Sequence, residues 1–392
     1  MKNNKTFLSL IILNLFCFAF TPVFALSPSV DKANTAVDKI KKACAPDKRQ
    51  AVYEVTVTEG KGGSAVLTGK ISDAATHEKL IETLKDEGVE FIDALQILPD
   101  TLWAQPIISV ACIRVAPAHA AEMATQAILG QPLRVLEKNN DGWYRVQTPD
   151  GYIGWVTGSS IVKKTAAEMS DWKKSKRLIV TAPYQTHAWK NNKTTNLREV
   201  VSDLVNGNIV EGVYNPKLKR NEVTLPDGRK GWVDTKDIQP IEQWASQNFN
   251  ADVILDMAYS MEGTPYLWGG TSAKTLDCSG LAKVSYFANG IILMRDASQQ
   301  ALTGNRIEAQ DWATCEAGDL LFFGNADTGR VTHVAIYDRD GNYVHSSGRV
   351  KRNSVDPQSP LYLSTPFLHA VRINGMEGTP GITYARNHPW YF

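Results

Sequence analysis

A cysteine followed by two histidines is the feature of this sequence best suited to covalent chemistry. Cys278 lies in an Asp-Cys-Ser-Gly segment, and His333 and His345 follow in two apolar segments. A thiolate is a strong nucleophile, and a nearby imidazole can take the thiol proton and later return it to a leaving group. These residue types in this order suit a thiol hydrolase in which the second histidine orients the first.

The segment after Cys278 is predicted to be a short helix. Apolar residues recur there at helical spacing and end at an Asn-Gly stop signal: Leu281, Val284, Phe287, Ala288, Asn289 and Gly290. Asp277 is then the N-cap, and Cys278 lies in the first turn. The positive end of the helix dipole is expected to lower the pKa of the thiol.

The two histidines are predicted to lie on neighbouring antiparallel strands. His333 lies in Val-Thr-His-Val-Ala-Ile-Tyr, and His345 lies in Tyr-Val-His-Ser after an Asp-Gly turn signal. With a loop of about three to five residues, His345 falls opposite or diagonal to His333, within reach of its ring. A zinc site built from Cys278 and both histidines is the alternative, although no fourth ligand follows at close spacing.

Four ordered motifs in the last third of the chain resemble the NlpC-type cell-wall cysteine peptidases. They occupy residues 263–270, 276–280, 317–323 and 332–336. The resemblance implies a papain-like α+β fold and hydrolysis of peptidoglycan stem peptides between γ-D-glutamate and the following diamino acid. It implies no cofactor and no metal.

The same resemblance assigns roles to individual residues. Cys278 would be the nucleophile, His333 the base and His345 the orienting residue. Tyr266 would place its hydroxyl near the oxyanion. Further residues beside the motifs would contact substrate: Asp277, Ser279 and Trp268.

An internal repeat precedes this region. Residues 148–161 match residues 225–238 at seven of fourteen positions, and each copy has an Asp-Gly turn followed by Gly-Trp-Val. The copies resemble bacterial SH3-like domains, which implies two small β-barrels. Aromatic residues of the repeat are either barrel core or platforms for wall binding: Trp143, Trp155 and Trp232.

The first copy differs from the second in two places. It has an irregular stretch, residues 116–126, that holds Glu122, and its turn carries Tyr152 where the second copy has Arg229. In relatives with paired SH3-like domains, matching residues and the Asp before the cysteine bind the free amine of L-Ala. Two buried carboxylates, Glu122 and Asp277, would need that cation. The other interpretation of Glu122 is a solvated loop acid.

The resemblance gives one more candidate contact. Asp296 follows the cysteine helix and matches a position that lies beside γ-D-glutamate in relatives. Some relatives have Ser immediately after it, where this chain has Ala297 followed by Ser298.

The N-terminus predicts export. Lys2 and Lys5 precede an apolar run, residues 7–20, and Val-Phe-Ala at 23–25 suits cleavage, so residues 1–25 are predicted to be a signal peptide. A retained anchor is the alternative; after cleavage no stable membrane insertion is expected, and the protein would be periplasmic or extracellular. Export permits disulfides. Cys44 with Cys112 is the pair to consider, and separate buried thiols are the alternative.

The remaining sequence completes a multidomain α+β prediction. Residues 26–105 would form a small α/β unit with helices at 31–42 and 77–87 and strands at 52–58 and 89–97, acting in packing or as a spacer. SH3-like barrels would follow at 106–165 and 166–244, and the peptidase at 245–392. With 42 basic and 41 acidic residues, charge gives no case for nucleic-acid binding. The sequence does not determine oligomeric state.

Three other functions are open at this point. They are an endopeptidase acting on intact wall, an amidase or acyltransferase on the same fold, and a wall-binding protein without activity.

Overall fold

The computed structural model of the protein describes residues 27–392. The predicted signal peptide, residues 1–25, lies outside this range. Within it, no helix is both long enough and apolar enough to cross a membrane.

The N-terminal unit is a three-stranded sheet covered by two helices. Its strands lie in the order β1-β2-β3, with β1 antiparallel and β3 parallel to β2. The elements are α1 (Pro28–Cys44), β1 (Tyr53–Glu59), β2 (Ala65–Ile71), α2 (Ala74–Asp86) and β3 (Phe91–Ile97). Apolar side chains of both helices form one core with Leu67 of the central strand: Ala33, Val37, Leu80 and Leu84. The four predicted elements are confirmed, and the sequence analysis missed the central strand.

The first SH3-like region forms a seven-stranded sheet in the order β10-β4-β7-β8-β9-β5-β6. Its strands are β4 (Trp103–Pro106), β5 (Val110–Arg114), β6 (Met123–Ile128), β7 (Leu133–Lys138), β8 (Trp143–Gln147), β9 (Ile153–Thr157) and β10 (Ile161–Lys164). The Asp-Gly turn joins β8 to β9 as predicted. The irregular stretch predicted at 116–126 is shorter than expected, because β6 begins at Met123.

The second SH3-like region follows α3 (Ala166–Lys174) and repeats this pattern in the order β13-β12-β16-β15-β14-β11-β17. Its strands are β11 (Arg177–Val180), β12 (Thr186–Trp189), β13 (Val200–Leu204), β14 (Ile209–Glu211), β15 (Arg220–Thr224), β16 (Lys230–Asp234) and β17 (Ile238–Pro240). Of the three tryptophans, Trp143 is buried, whereas Trp155 and Trp232 are half-buried.

The C-terminal region packs helices against a six-stranded antiparallel sheet in the order β21-β26-β22-β23-β24-β25. Its helices are α4 (Ile241–Ala245), α5 (Ala251–Ser260), α6 (Cys278–Ala288) and α7 (Ala297–Gln300). Its strands are β18 (Thr271–Ser272), β19 (Thr275–Leu276), β20 (Ile291–Leu293), β21 (Asn305–Glu308), β22 (Leu320–Gly324), β23 (Val331–Tyr337), β24 (Asn342–Ser347), β25 (Arg349–Ser354), β26 (Phe367–Arg372) and β27 (Ile382–Tyr384). Helix α6 and the sheet share one apolar core, which holds both in a fixed relation.

The regions are joined by specific contacts. A small apolar cluster connects the N-terminal unit to the first SH3-like region: Val52, Leu98, Leu136 and Ile153. That region in turn reaches the C-terminal region, because Thr271 accepts a hydrogen bond from the Gln126 backbone (2.8 Å) and donates its own N–H to the Gln126 side chain (2.9 Å). Strand β4 begins at Trp103, three residues before the predicted boundary at 106; the domain boundaries stay a prediction.

Candidate active site

Cys278 is the first residue of α6, and Asp277 caps the helix as predicted. The Asp277 carboxylate accepts a hydrogen bond from the Gly280 backbone N–H at 2.7 Å. Gly280 is required by close packing, since a Cβ there would lie 1.9 Å from the Gly270 carbonyl oxygen. The Asp-Cys-Ser-Gly motif therefore sets both the helix start and its tight contact with the preceding turn.

The expected low pKa of the thiol is wrong for this structure. Cys278 is 9% exposed, and burial, together with the nearby Asp277 charge, raises the pKa of its thiol to about 11. Backbone N–H groups of Val334 and Ser279 oppose this shift. The resting nucleophile is thus a neutral thiol that needs a base, and the Val334 contact places it beside strand β23.

The two histidines form the hydrogen-bonded pair expected of them. His333 Nε2 and His345 Nδ1 lie 2.7 Å apart. The β23–β24 ladder pairs Ile336 with Val344, which puts His345 diagonal to His333 across a four-residue turn, residues 338–341. Burial lowers the pKa of His333 to about 3 and that of His345 to about 4, so both rings are neutral at pH 7.

Asn353 on β25 extends this pair. His345 Nε2 lies 3.0 Å from Asn353 Oδ1, and Asn353 Nδ2 donates to the Leu361 carbonyl at 3.0 Å. The network assigns the protons: Asn353 Oδ1 accepts from His345 Nε2–H, and His345 Nδ1 accepts from His333 Nε2–H. His333 Nδ1 is then left unprotonated and free to act as a base.

Tyr266 is held beside the nucleophile. Its backbone bridges to Leu276, two residues before Cys278, and its N–H donates to the Gly348 carbonyl at 3.0 Å. Burial and the nearby thiol raise the pKa of the Tyr266 phenol, so the hydroxyl keeps its proton and can donate it to an oxyanion.

The expected pair of buried carboxylates that needs a substrate cation is not seen, because Glu122 is exposed and Asp277 has a cation within the protein. Asp277 is buried and forms an ion pair with the buried guanidinium of Arg295 at 2.5 Å. Ser279 joins this cluster, accepting from Arg295 Nη1 at 2.9 Å. Asp277 therefore already has a cation, because a buried carboxylate is stable only when paired. It supports the helix start and is not an open site for an amine.

One groove of about 740 Å³ collects most of the predicted site residues. Its walls include Cys278, Tyr266, Asp277, Ser279, Trp268, Glu122, Tyr152 and Asp296. The C-terminal region contributes the nucleophile, and the first SH3-like region contributes Glu122 and Tyr152. The sequence prediction that these residues share a site agrees with this placement, whereas their individual roles are proposals.

Two hydrogen bonds cross the groove between the regions. Trp268 Nε1 donates to Glu122 Oε1 at 2.6 Å, and Tyr152 Oη donates to Asp296 Oδ2 at 3.2 Å. Burial raises the pKa of Tyr152, so its hydroxyl stays protonated. Within residues 27–392 Glu122 forms no ion pair, which leaves its charge available to a ligand.

The remaining cysteines and the zinc alternative can also be placed. Within the described residues, Cys44 and Cys112 are free, and Cys112 is exposed rather than buried. No group of three or more His, Cys, Asp or Glu side chains in residues 27–392 is arranged to hold a metal ion. The two histidines direct a ring nitrogen at each other instead.

Comparison with known proteins matches this architecture. The NlpC/P60 family model matches residues 263–372, and the bacterial dipeptidyl-peptidase SH3 domain matches residues 113–161. The γ-D-glutamyl-L-lysine dipeptidyl-peptidase of Bacillus cereus is 30% identical over 266 residues, covering 62% of this chain and 74% of that protein. The chain belongs to the NlpC/P60 family. It is a cysteine peptidase of that family, as the sequence analysis predicted.

Two further proteins are similar to this chain in sequence or in fold. Dipeptidyl-peptidase 6 of Lysinibacillus sphaericus is 28% identical, covering 62% of this chain and 88% of that protein. A crystal structure of an NlpC/P60 family protein from Bacillus cereus superposes with a TM-score of 0.58 at 22% identity. It covers 69% of this chain and 99% of that chain, which shows a shared fold.

Three residues of this NlpC/P60 site were missed or misjudged from the sequence. The sequence analysis gave no role to Arg295, to Asn353, or to Arg49, which also lines the groove. Arg295 follows the cysteine helix closely enough that its charge could have suggested a partner for Asp277. Asn353 and Arg49 carry no local signal, since only the folded chain brings them to the site.

Proposed function

We propose that this protein is a peptidoglycan hydrolase that cleaves the γ-D-glutamyl–diamino acid bond of stem peptides with a free N-terminal L-Ala. The observation that carries the proposal is the shared groove, where Cys278 lies in one wall and Glu122 and Tyr152 of the SH3-like region lie in another. The names of the Bacillus and Lysinibacillus relatives support the bond and the dipeptidyl product. The predicted signal peptide supports export to the periplasm or the cell exterior.

The proposed chemistry follows from a neutral thiol and a neutral base. His333 Nδ1 takes the Cys278 proton as sulfur attacks the γ-carbonyl carbon, because neither group is charged at rest. The resulting oxyanion accepts hydrogen bonds from the Tyr266 hydroxyl and the Cys278 backbone N–H. His333 then protonates the amine of the diamino acid as the C–N bond breaks, leaving a thioester.

Hydrolysis of the thioester reverses these proton movements. Neutral His333 removes a proton from water, and the hydroxide adds to the thioester carbonyl. The C–S bond breaks, the thiolate of Cys278 recovers the proton from His333, and L-Ala-γ-D-Glu leaves with a new carboxyl group. His345 and Asn353 hold His333 in the required tautomer throughout.

Selection of a free amine rests on the one carboxylate of the groove that has no cation of its own. Glu122 has no ion-pair partner among residues 27–392, whereas Asp296 pairs with Arg49 at 2.7 Å and lies 3.9 Å from Arg295. An L-Ala ammonium would supply the missing positive charge beside Glu122. An acylated alanine brings no charge and leaves Glu122 unpaired, which lowers affinity for that substrate.

Defined peptides test the proposal. We expect L-Ala-γ-D-Glu-L-Lys, or its diaminopimelate counterpart, to yield L-Ala-γ-D-Glu and the free diamino acid by mass spectrometry. N-acetylation should lower kcat/KM several-fold, since it removes the ammonium that pairs with Glu122, and an ion pair at an exposed carboxylate contributes up to about 1 kcal/mol. The peptides report the scissile bond and the amine requirement in one experiment.

Cys278→Ala is the control and should abolish cleavage without unfolding the protein. Equal rates for free and acetylated peptides would eliminate the amine requirement and favour an endopeptidase acting on intact wall. Absence of cleavage by the wild type, with Cys278 still reactive to a small alkylating agent, would reject the substrate assignment and leave an amidase or acyltransferase. Turnover near wild type in Cys278→Ala would reject the nucleophile.

A further inference from the structure

A turn of the N-terminal unit, residues 47–50, reaches the reaction groove, and we refer to it as the clasp. Arg49 Nη1 donates to Asp296 Oδ2 at 2.7 Å and to Ser298 Oγ at 3.2 Å. Its Nε and Nη2 atoms bind the Asp47 carboxylate at 2.7–3.0 Å. The planar guanidinium therefore binds Asp47 on one side and extends to Asp296 in the groove on the other.

The clasp is tied to both walls that it joins. The Arg49 carbonyl accepts from the N–H of Ile153 at 2.7 Å, and Ile153 directly follows Tyr152. The side chain of Gln147 donates to the Gln50 carbonyl at 3.0 Å. On the opposite side, Gln299 of α7 donates to Asp47 at 2.8 Å. Arg49 is thus positioned by the hairpin that carries Tyr152 and by the helix that follows Asp296.

Arg49 also marks the end of the groove. Together with Leu302 it lines both the reaction groove and a second depression of about 810 Å³. That depression continues between the clasp and the segments around Met294 and Pro380. The two side chains therefore form the ridge between a groove that holds the nucleophile and open space beyond it.

We infer that Arg49 is a specificity-determining residue that closes the amine end of the groove, so that the N-terminal unit excludes stem peptides carrying a bulky N-acyl group. This inference rests on the proposed function and adds a steric element to it. Any acylated peptide would bind more weakly because it lacks the ammonium that pairs with Glu122 beside Tyr152. Arg49 would exclude larger acyl groups by steric clash, because such a group must cross the ridge that its guanidinium forms.

Peptides that differ in acyl size separate the two effects. The substrates are L-Ala-γ-D-Glu-L-Lys with a free, N-formyl or N-lactoyl amine. Wild type should show one loss of kcat/KM from free to formyl and a second loss of roughly tenfold or more from formyl to lactoyl, as steric mismatches in pockets do. Arg49→Ala should keep the first loss and remove most of the second.

Two further variants test whether Arg49 itself causes the loss from the formyl to the lactoyl peptide. Asp47→Ala keeps Arg49 but removes the carboxylate that holds its guanidinium in place. The loss of kcat/KM from the formyl to the lactoyl peptide should therefore become smaller than in wild type. Arg306→Ala is the matched control, because Arg306 lines the same groove from β21 and is held by Glu308 at 2.7 Å. It should keep the wild-type pattern, and thermal unfolding should confirm that all three variants fold.

The outcomes distinguish this inference from the proposed function. Failure of wild type to cleave the free tripeptide would reject the proposed function itself. Cleavage of that peptide by both proteins, with the same formyl-to-lactoyl loss in Arg49→Ala as in wild type, would overturn the role of Arg49 alone. An equal reduction of that loss in Arg306→Ala would also overturn it, because any groove arginine would then have the same effect.

Discussion

The two SH3-like hairpins share seven of fourteen residues, yet their turns contact different parts of the molecule. In the first, Asp150 of the Pro-Asp-Gly turn forms an ion pair with Lys283 of the cysteine helix at 2.7 Å, and its side chain is 4% exposed. Tyr152, two residues later, contacts Asp296 across the groove. The first hairpin is therefore built into the wall of the active site.

The second hairpin uses the same turn to hold itself and its neighbour. Asp227 pairs with Arg229 within the turn at 2.6 Å, and both side chains are more exposed, at 20% and 40%. Arg229 also donates to the Ile107 carbonyl of the first SH3-like region. Nothing in this turn contacts the reaction groove as the structure describes it.

The comparison separates the residues that form the hairpin from the residues that contact other parts of the molecule. The identical residues, Pro-Asp-Gly and Gly-Trp-Val, occur in both copies and form the same turn and strand. The position two after the aspartate differs: Tyr152 contacts Asp296 across the groove, whereas Arg229 contacts the first SH3-like region. The two copies thus keep the same turn and strand while their side chains contact different neighbours.

The largest expected effect is a difference in the free energy of unfolding between variants of Asp150 and Asp227. Asp150→Asn leaves Lys283 buried without a counter-charge, a kind of change that costs about 3–5 kcal/mol. Asp227→Asn removes a more exposed pair worth at most about 1 kcal/mol. Urea inactivation measures both: the midpoint should fall clearly for Asp150→Asn and little for Asp227→Asn.

A double variant checks the cause of that loss. Asp150→Leu with Lys283→Met removes both charges and should be less destabilising than Asp150→Asn, since no unpaired charge remains buried. Equal midpoints for the two single aspartate variants would break the comparison, because the first hairpin would then be no more coupled to the cysteine helix than the second.

The next effect concerns the exchanged side chains. Tyr152→Phe removes a hydroxyl that contacts a carboxylate, and hydrogen bonds to charged groups contribute about 1.5–3 kcal/mol, so kcat/KM for the free tripeptide should fall roughly ten- to a hundredfold. Tyr152→Arg, which copies the second hairpin, should lose at least as much. Alkylation of Cys278 should stay at the wild-type rate in both, since neither change touches the thiol.

Arg229→Tyr is the reciprocal control in the second hairpin. It should leave kcat/KM within about twofold of wild type, because that turn does not line the groove. A loss as large as that of Tyr152→Phe would mean that the two hairpins act on the substrate alike.

The sequence was sufficient where local pattern decides structure. Helical spacing and an Asp cap predicted the start of α6 at Cys278, and a loop of about three to five residues predicted that the two histidines lie opposite or diagonal to each other, as they do. The pKa of Cys278 could not be predicted in this way, because the burial that raises it comes from packing in the core of the C-terminal region. Local helix geometry alone gave the wrong direction.

Contacts between distant residues set the limit of sequence reasoning. Arg49 and Asp296 are separated by 247 positions, and no periodicity connects them. The residues of Glu122's loop could be matched by context, whereas the cation for Asp277 was sought in the substrate although Arg295 supplies it. Side-chain pairing across regions depends on their docking, which neither composition nor strand pattern specifies.

The smallest expected effect tests whether chemistry and binding reside in separate parts of the molecule. Asn353 contacts His345 and the Leu361 carbonyl but not the groove, so Asn353→Ala removes the acceptor that fixes the tautomer of the histidine pair without changing the groove lining. A single hydrogen bond contributes about 0.5–1.5 kcal/mol, which predicts a fall in kcat of up to roughly tenfold. KM and the preference for a free amine should not change, in contrast to Tyr152→Phe.

His345→Ala should lose more activity than Asn353→Ala. His345→Asn or His345→Gln should retain part of the lost rate, because an amide can still orient His333. Asn305→Ala, an exposed change on β21 of the same sheet, is the matched control and should behave as wild type. Steady-state kinetics on the free and N-formyl tripeptides measure all of these. A raised KM or a weakened amine preference in Asn353→Ala would show that the hydrogen-bond chain also shapes the substrate groove, and the separation between the first SH3-like hairpin and the catalytic sheet would not hold.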